Sequence, residues 1–404
     1  MTDKPVRVRI APSPTGYFHI GSARTALFNW LFARHHDGAF IVRVEDTDRT
    51  RYNPEAVPDL VASLRWLGLD WDEGPEVGGD FGPYYQSERL ALYQRYAAQL
   101  VQEGYAYECY CSSERLAALR EEQRRAKQDI GYDRHCRHLT AAQRAEYEAM
   151  GITPVIRFKV PLEGQTSFHD VLYGTITVEN QKLDDLVLLK SDGFPTYHLG
   201  VVVDDHAMAI SHIMRGDEWL PSVPKHILLY DAFGWETPVF AHLPLILAPS
   251  GKGKLSKRHG GVEIREFRQQ GYLSDAMINY LARVGWSYDD KTEIFSREEL
   301  VRYFDLSGVN SSPARFSYER LEWMNGYYIR QLDPDSLAQQ VVPFMAQSGF
   351  DVTAADMRPI VPLVQERLKT LSEIVERTDF FFQDQLEYDS ALLVGKKMTA
   401  AESL

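Results

Sequence analysis

Cysteine is scarce: the 404 residues hold three. So few thiols, and an odd number of them, exclude the disulfide framework that holds small secreted domains together. Long apolar runs are absent as well. None reaches the roughly 18 residues that a bilayer-spanning helix needs, so no transmembrane helix is expected. Residues 1–6 lack the apolar core of a secretory signal, and the expected compartment is the cytoplasm. Positive charge is in deficit, with 44 Lys and Arg against 57 Asp and Glu and a net charge of −13. On average this argues against a nucleic-acid partner, because neutralising phosphates takes Lys and Arg. Binding is local, however, and basic clusters occur at 120–127, 134–144 and 252–258. There is no internal repeat and no low-complexity tract.

What is present is the alternation of an α/β protein. Val6, Val8 and Ile10 alternate with Arg7 and Arg9, the period of a strand. Two prolines and a glycine make 11–17 a loop, and a helix follows over about 22–36. A second strand, 40–44, ends at the acidic Glu45-Asp46-Thr47-Asp48. Asn53-Pro54 is a cap and first-turn pair for a helix that buries Val57, Leu60, Val61 and Leu64. Another helix is expected over 88–103, with Gly104 as its stop. This order opens a parallel α/β sheet. Between about 105 and 192 the pattern changes. That stretch holds all three cysteines, a charged helical run at 114–127 and strand-like segments at 155–160 and 175–178, and reads as an insertion. The sheet is expected to resume at 183–189 and 196–203, followed by a helix at 222–233 and an apolar strand at 243–247. Beyond the glycine-rich loop 251–261 the composition is helical.

Two elements can bind phosphate. The first strand, its Pro/Gly loop and the following helix form an anion site, since a helix start presents N–H groups and the positive end of the dipole. His19 stands just before Ile20-Gly21, and Gly21 has no Cβ to block close approach. Far downstream, Ser250-Gly251-Lys252-Gly253-Lys254-Leu255-Ser256-Lys257-Arg258 offers three lysines that can reach phosphates, where charge builds on a leaving pyrophosphate. Either element alone is weak evidence.

Together, and in this order, they resemble the bacterial glutamyl-tRNA synthetases. The stretch from Arg9 to Arg51 matches almost residue for residue. So do Trp66-Leu67-Gly68-Leu69-Asp70, Pro195-Thr196-Tyr197-His198, Val203-Asp204-Asp205-His206, Arg215-Gly216-Asp217-Glu218-Trp219 and Trp323-Met324-Asn325-Gly326. The resemblance implies a class I synthetase α/β fold: a Rossmann-like parallel sheet, an α+β zinc-bearing insertion and C-terminal α-helical domains. It divides the chain into a catalytic first half (1–104), an acceptor-binding insertion (105–192) and a catalytic second half (193–262). A helical stem-contact domain (263–325) and a partial anticodon-binding domain with a tail (326–404) complete it. It implies a monomer that uses ATP with Mg2+, L-glutamate and tRNA(Glu), with His19, Lys254 and Lys257 serving adenylate formation. Pro12, Gly21, Ser22 and Ser256 join those lysines at ATP. Ser22 stands where many class I enzymes carry a second histidine.

A glutamate site needs cations for two carboxylates and an anion for an ammonium. Arginine suits carboxylates because its planar fork bonds them at two points. The resemblance assigns Arg9 and Arg215 to carboxylate contacts, Glu45 to the amino group, and Tyr197 and Ser13 to further hydrogen bonds. Arg9 is expected to be the main discriminator against glutamine.

Cys109-Tyr110-Cys111, then Cys136-Arg137-His138, uses every cysteine in the chain. Thiolates and imidazole are ligands of tetrahedral structural zinc. Zinc-bearing members of the family share the arrangement, which implies Cys109, Cys111, Cys136 and His138 as ligands, with Tyr132 the alternative fourth. Family members usually continue with a further helical subdomain. Arg367 falls near the place of an anticodon-reading arginine, and the tail 386–404 is expected to fray. The rival readings are a paralogue that loads glutamate onto a modified tRNA base and a non-catalytic binding module.

Overall fold

A computed structural model describes residues 5–383, 385, 394–395 and 398–403, apart from the side chains of Lys257, Ala400 and Glu402. Most of the tail expected to fray, and the side chain of Lys257, therefore lie outside the described residues. The chain forms two compact units, Met1–Arg265 with Ile278–Phe316, and Glu266–Met277 with Ser317–Leu404.

The first unit opens with β1 (Arg7–Ile10), α1 (Ile20–His35) and β2 (Ala39–Val42). β1 and β2 pair in parallel, Arg7 opposite Ala39. α1 is buried on nearly every face, including Ile20, Ala23, Leu27, Phe28 and Leu31, as its all-round apolar sequence requires. α2 (Ala56–Leu67) ends at Gly68, whose φ of 67° is the left-handed stop that glycine accepts most easily. α3 (Leu90–Gln102) leads into β3 (Ala106–Cys109). α4 (Ser113–Arg125) buries no residue, as the charged run predicts. After α5 (Ala141–Ala149) come β4 (Val155–Phe158), the hairpin β5 (Gln165–Asp170) and β6 (Gly174–Glu179), and β7 (Val187–Leu189). β3, β4 and β7 form an antiparallel sheet of their own.

α6 (Tyr197–Ala207) corrects one expectation. The Val201-Val202-Val203 run reads as a strand by β-branching, but all three valines are buried against a core shared by α3, α6 and α7 (Val223–Phe233), and packing overrides the local preference. β8 (His212–Gly216) and β9 (Val239–Leu243) then pair in parallel, with Arg215 opposite His242. The order β6-β5-β9-β8 shows that the hairpin inside the stretch 105–192 belongs to this main sheet, joined where Asp170 meets Phe240. A bond from the Ser211 amide to the Arg7 carbonyl (2.9 Å) sets β8 beside β1. The carboxyl ends of β5, β9, β8 and β1 thus line up, the place where open α/β sheets bind ligands.

The second unit is helical. Its helices Tyr318–Gln331 and Pro334–Gln347 pack Ile329, Leu337, Val341 and Met345 against Val361, Leu368 and Ile374. The buried Asn325 side chain accepts from the Leu273 amide (2.8 Å) and donates to the Lys369 carbonyl (2.6 Å), fixing two connections. Arg367 is exposed in the short turn Gln365–Arg367. Among the described residues no helix is long and apolar enough to cross a membrane.

Candidate active site

A cavity of about 800 Å³ opens at the carboxyl ends of the parallel strands. Apart from Lys257, whose side chain lies outside the described residues, every residue expected at ATP or glutamate lines it: Arg9, Pro12, Ser13, His19, Gly21, Ser22, Glu45, Tyr197, Arg215, Lys254 and Ser256.

His19 is the N-cap of α1. Its Nδ1 accepts from the Gly21 amide (3.1 Å) and the Ser22 amide (3.4 Å), while Nε2 lies 3.3 Å from Ser22 Oγ. A Cβ on Gly21 would come within 3.2 Å of the imidazole, so glycine lets the ring fold over the helix start. Burial in the cavity wall, and then Lys254, hold His19 below the usual histidine range. The neutral ring is the one that can cap, because only it keeps a lone pair on Nδ1. One expectation is corrected here. The first amides of α1 are not free for phosphate: Ile20 donates to the Val262 carbonyl (2.9 Å), and Gly21 and Ser22 to His19. What the helix start offers an anion is its dipole and the Nε2 side of His19.

The lysine-rich loop is a tight turn laid back on a short strand, β10 (Ile246–Leu247). Ala248 donates to the Gly253 carbonyl (3.0 Å) and Leu255 to the Ile246 carbonyl (2.9 Å). Gly253 takes a φ of 73°, which admits glycine readily. Lys254 reaches the cavity and lies 3.4 Å from Glu218, an exposed pair that is weakly held and free to exchange for phosphate.

From Arg9 and Glu45 in the cavity lining a network of buried charge runs inward. Arg9 grips Asp205 at two points, Nε to Oδ1 and Nη2 to Oδ2, both 3.0 Å. Arg43 donates to Asp205 (2.7 Å) and to Glu45 (3.2 Å). Asp204 accepts from Gln86 (2.9 Å), Arg89 (2.7 Å) and Tyr93 (2.9 Å). Burial alone would raise the Asp205 carboxyl, but Arg9 and Arg43 outweigh it and hold it below its ordinary range. Burial does raise the Glu45 carboxyl, against the pull of Arg43 and Arg9. Glu45 therefore gains from a further cation such as an ammonium.

Arg215 differs from its neighbours. Its Nη1 donates to the Tyr197 hydroxyl (2.7 Å) and its Nε to His242 (3.0 Å), both neutral groups. Its Nη2 is buried without a hydrogen-bond partner. Arg9, Arg43 and Arg89 are matched by Asp204, Asp205 and Glu45, whereas Arg215 lines the same cavity with no carboxylate bound to it among the described residues. Burial accordingly pulls its affinity for the proton down. An uncompensated buried cation in a cavity wall is a receptor for an anion.

Set beside known proteins, residues 5–323 match the family model of the tRNA synthetases class I (E and Q), catalytic domain, and residues 336–404 that of an anticodon binding domain. The chain belongs to the glutamyl-tRNA synthetase family. A glutamate–tRNA ligase of Dehalococcoides mccartyi (strain 195) is 56% identical over 99% of this chain and 82% of its own length. That of Borreliella burgdorferi is 47% identical over 98% and 82%. The crystal structure of the Elizabethkingia anophelis glutamate–tRNA synthetase superposes with a TM-score of 0.90 at 38% identity, covering 97% of this chain and 84% of that one. A glutamate tRNA ligase from Elizabethkingia meningosepticum, solved in complex with its amino acid, fits equally well, with a TM-score of 0.90. In this synthetase scaffold Arg9, Arg215 and Lys254, far apart in sequence, meet in one cavity.

The inserted antiparallel sheet carries the cysteines. The sulfurs of Cys109, Cys111 and Cys136 lie within 4.8 Å of one another, Cys111 and Cys136 at 3.5 Å. The edge of a zinc tetrahedron with Zn–S of about 2.3 Å is about 3.8 Å, so the donor set fits that metal. The Tyr132 hydroxyl stands beside the cluster, 3.3 Å from Cys109 and 3.5 Å from Cys111. His138 is exposed in the turn His135–His138, where Cys136 is buried. Arg157 and Arg115 donate to Cys109 (3.2 Å) and Cys111 (3.5 Å), cations that suit thiolates.

Four histidines make the fold sensitive to acid. Burial pushes His198 and His212 down to about 4, His226 well below its ordinary value, and His242 in the same direction. Below about pH 6.5 the unfolded chain takes up protons that the folded chain refuses, so stability present at neutral pH is lost on acidification. Each such histidine contributes a slope of up to about 1.4 kcal/mol per pH unit. The melting temperature is expected to fall steeply between pH 6.5 and 4. A flat profile across that window contradicts these assignments.

Proposed function

We propose that the chain activates L-glutamate with Mg·ATP and transfers it to the 3′-terminal ribose of tRNA(Glu). The observation that carries glutamate recognition is Arg215, a buried cation facing the cavity with no carboxylate partner. Its Nη2 and the unbonded Nη of Arg9 receive substrate carboxylate, and Glu45, short of positive charge, takes the ammonium. Ser13 and Tyr197 add hydrogen bonds from the cavity wall. The substrate α-carboxylate then attacks the α-phosphate of ATP; the bond to the β-phosphate breaks and pyrophosphate leaves, giving glutamyl-adenylate. A ribose hydroxyl of the tRNA attacks the acyl carbon and AMP leaves. Little proton transfer is needed, and the protein contributes positioning and charge. His19 shapes the helix start, while Lys254 and Lys257 neutralise the leaving pyrophosphate, which magnesium also screens when bound.

ATP–pyrophosphate exchange, run with and without tRNA, tests this reading. Glutamate-dependent exchange is expected, stimulated by tRNA; no exchange under either condition rejects it.

Cys109, Cys111 and Cys136, with Tyr132 as the oxygen ligand, would hold one structural zinc in the insertion that meets the acceptor end. The metal would tie β3 to the turn His135–His138. Freshly purified protein is expected to contain about one zinc per chain. Cys136→Ser is expected to lose it, with an apparent binding free energy on the order of 10 kcal/mol at stake. Tyr132→Phe is expected to weaken retention against a chelator, and His138→Ala to leave it unchanged. Retention that depends on His138 instead would refute the tyrosine assignment.

A further inference from the structure

Three neighbouring strands of the main sheet each place one polar side chain in a row at their carboxyl ends: Asp170 on β5, His242 on β9 and Arg215 on β8. Asp170 and His242 are fully buried and neither lines the cavity; the side-chain hydrogen bond between His242 and the lining is the one from Arg215. Nothing in the two-step chemistry uses them. Their hydrogen bonds nevertheless leave a single solution for where the protons sit.

Asp170 Oδ1 accepts from the Leu172 and Tyr173 amides (3.0 and 3.1 Å), and Oδ2 accepts from the His242 amide (3.1 Å). The remaining contact, Oδ2 to His242 Nδ1, is 2.7 Å. A carboxylate that only accepts requires the proton on Nδ1. On the other side of the ring, Arg215 Nε is 3.0 Å from His242 Nε2. A guanidinium nitrogen can only donate, so Nε2 must carry the lone pair. The ring is therefore neutral, in one tautomer, and burial favours that neutral form. With Nε fixed by His242 and Nη1 by Tyr197, the guanidinium plane of Arg215 has no rotational freedom left, and its unpartnered Nη2 is the atom remaining for a ligand.

We infer that His242, locked in the Nδ1–H tautomer by Asp170, is a positioning residue that aims Arg215 at the substrate carboxylate and so sets the affinity for glutamate. This rests on the reading of Arg215 as a glutamate contact. The role belongs to the Nε2 lone pair and not to the bulk of the ring. Losing it frees Arg215 to rotate and leaves its Nε–H buried without an acceptor.

The test is ATP–pyrophosphate exchange by the full chain with tRNA present, comparing His242→Asn, His242→Gln, Asp170→Asn and Arg215→Ala. Asparagine can reproduce the Nδ1 donor but offers nothing at Nε2; glutamine can place its carbonyl there. His242→Asn is expected to raise the KM for glutamate by about tenfold to hundredfold, the value of a hydrogen bond to a charged group. The KM for ATP should stay within about twofold. His242→Gln is expected to recover most of the loss. Asp170→Asn, which no longer dictates the tautomer, is expected to follow His242→Asn and serves if that variant fails to fold. An unchanged KM for glutamate in both His242→Asn and Asp170→Asn, while Arg215→Ala raises it, overturns the inference alone. Equal loss on both substrates in the asparagine and glutamine variants also overturns it, by making the role merely structural. If Arg215→Ala leaves the KM for glutamate unchanged, the reading of Arg215 falls first, and this inference with it.

Discussion

Replacing Asp205 with asparagine is expected to destabilise the protein by about 3–5 kcal/mol, the cost of stranding buried charge. Asp205 is buried and receives three hydrogen bonds from two arginines. The amide has the shape of the carboxylate but no charge, and its NH2 faces N–H donors. Arg43 would keep only Glu45 at 3.2 Å and Asp204 at 3.7 Å, and Arg9 would lose the carboxylate it grips. The loss is expected to shrink as pH falls, because the Asp205 carboxyl, held low by both arginines, contributes its stabilisation at neutral pH and surrenders it on protonation. Urea unfolding of both proteins at pH 7 measures this. A midpoint that does not move, with glutamate binding intact, contradicts the account of the network.

The second large effect is on substrate choice. Arg215→Ala is expected to lower kcat/KM for glutamate by about 10²–10³-fold, as for truncation of one partner in a buried charge pair. Activity with glutamine, which brings no second charge, should fall much less. Arg9, named from sequence as the main discriminator, already spends two nitrogens on Asp205. Arg9→Ala therefore unpairs a carboxylate as well as a substrate contact, and should lose stability along with selectivity. Kinetics of both variants with glutamate and glutamine separate the two arginines. A glutamate-to-glutamine ratio unchanged in Arg215→Ala would return the discriminating role to Arg9.

Much of this site was legible in sequence because its parts are local. The strand, loop and helix around His19 and the lysine loop at 250–258 are contiguous patterns, and they do line one cavity. What escaped was whatever depends on partners far along the chain. The sequence assigns Asp205 no partner, since two acids after an apolar run do not reveal that Arg9, 196 positions away, grips one of them. A signal existed: an Asp-Asp pair on an otherwise apolar helix must be paired to be buried. Asp170 and His242 carried no such signal, because the sheet order that brings β5 beside β9 cannot be read from either strand. Residues 196–203 read as a strand for the same reason, although 197–203 fall in the helix Tyr197–Ala207, whose valines answer to packing. At the cysteines, sequence offers His138 and Tyr132 as the fourth ligand, and only the fold leaves His138 exposed and sets the Tyr132 hydroxyl beside Cys109 and Cys111.

The central claim is that a buried, uncompensated arginine selects glutamate for attachment to tRNA. Aminoacylation of tRNA(Glu) by the full chain, with labelled glutamate and labelled glutamine in parallel, tests it most directly. The account predicts a base-labile glutamyl ester on the tRNA, dependent on ATP, and negligible glutamine incorporation. No ester formation, or equal use of the two amino acids, would contradict it.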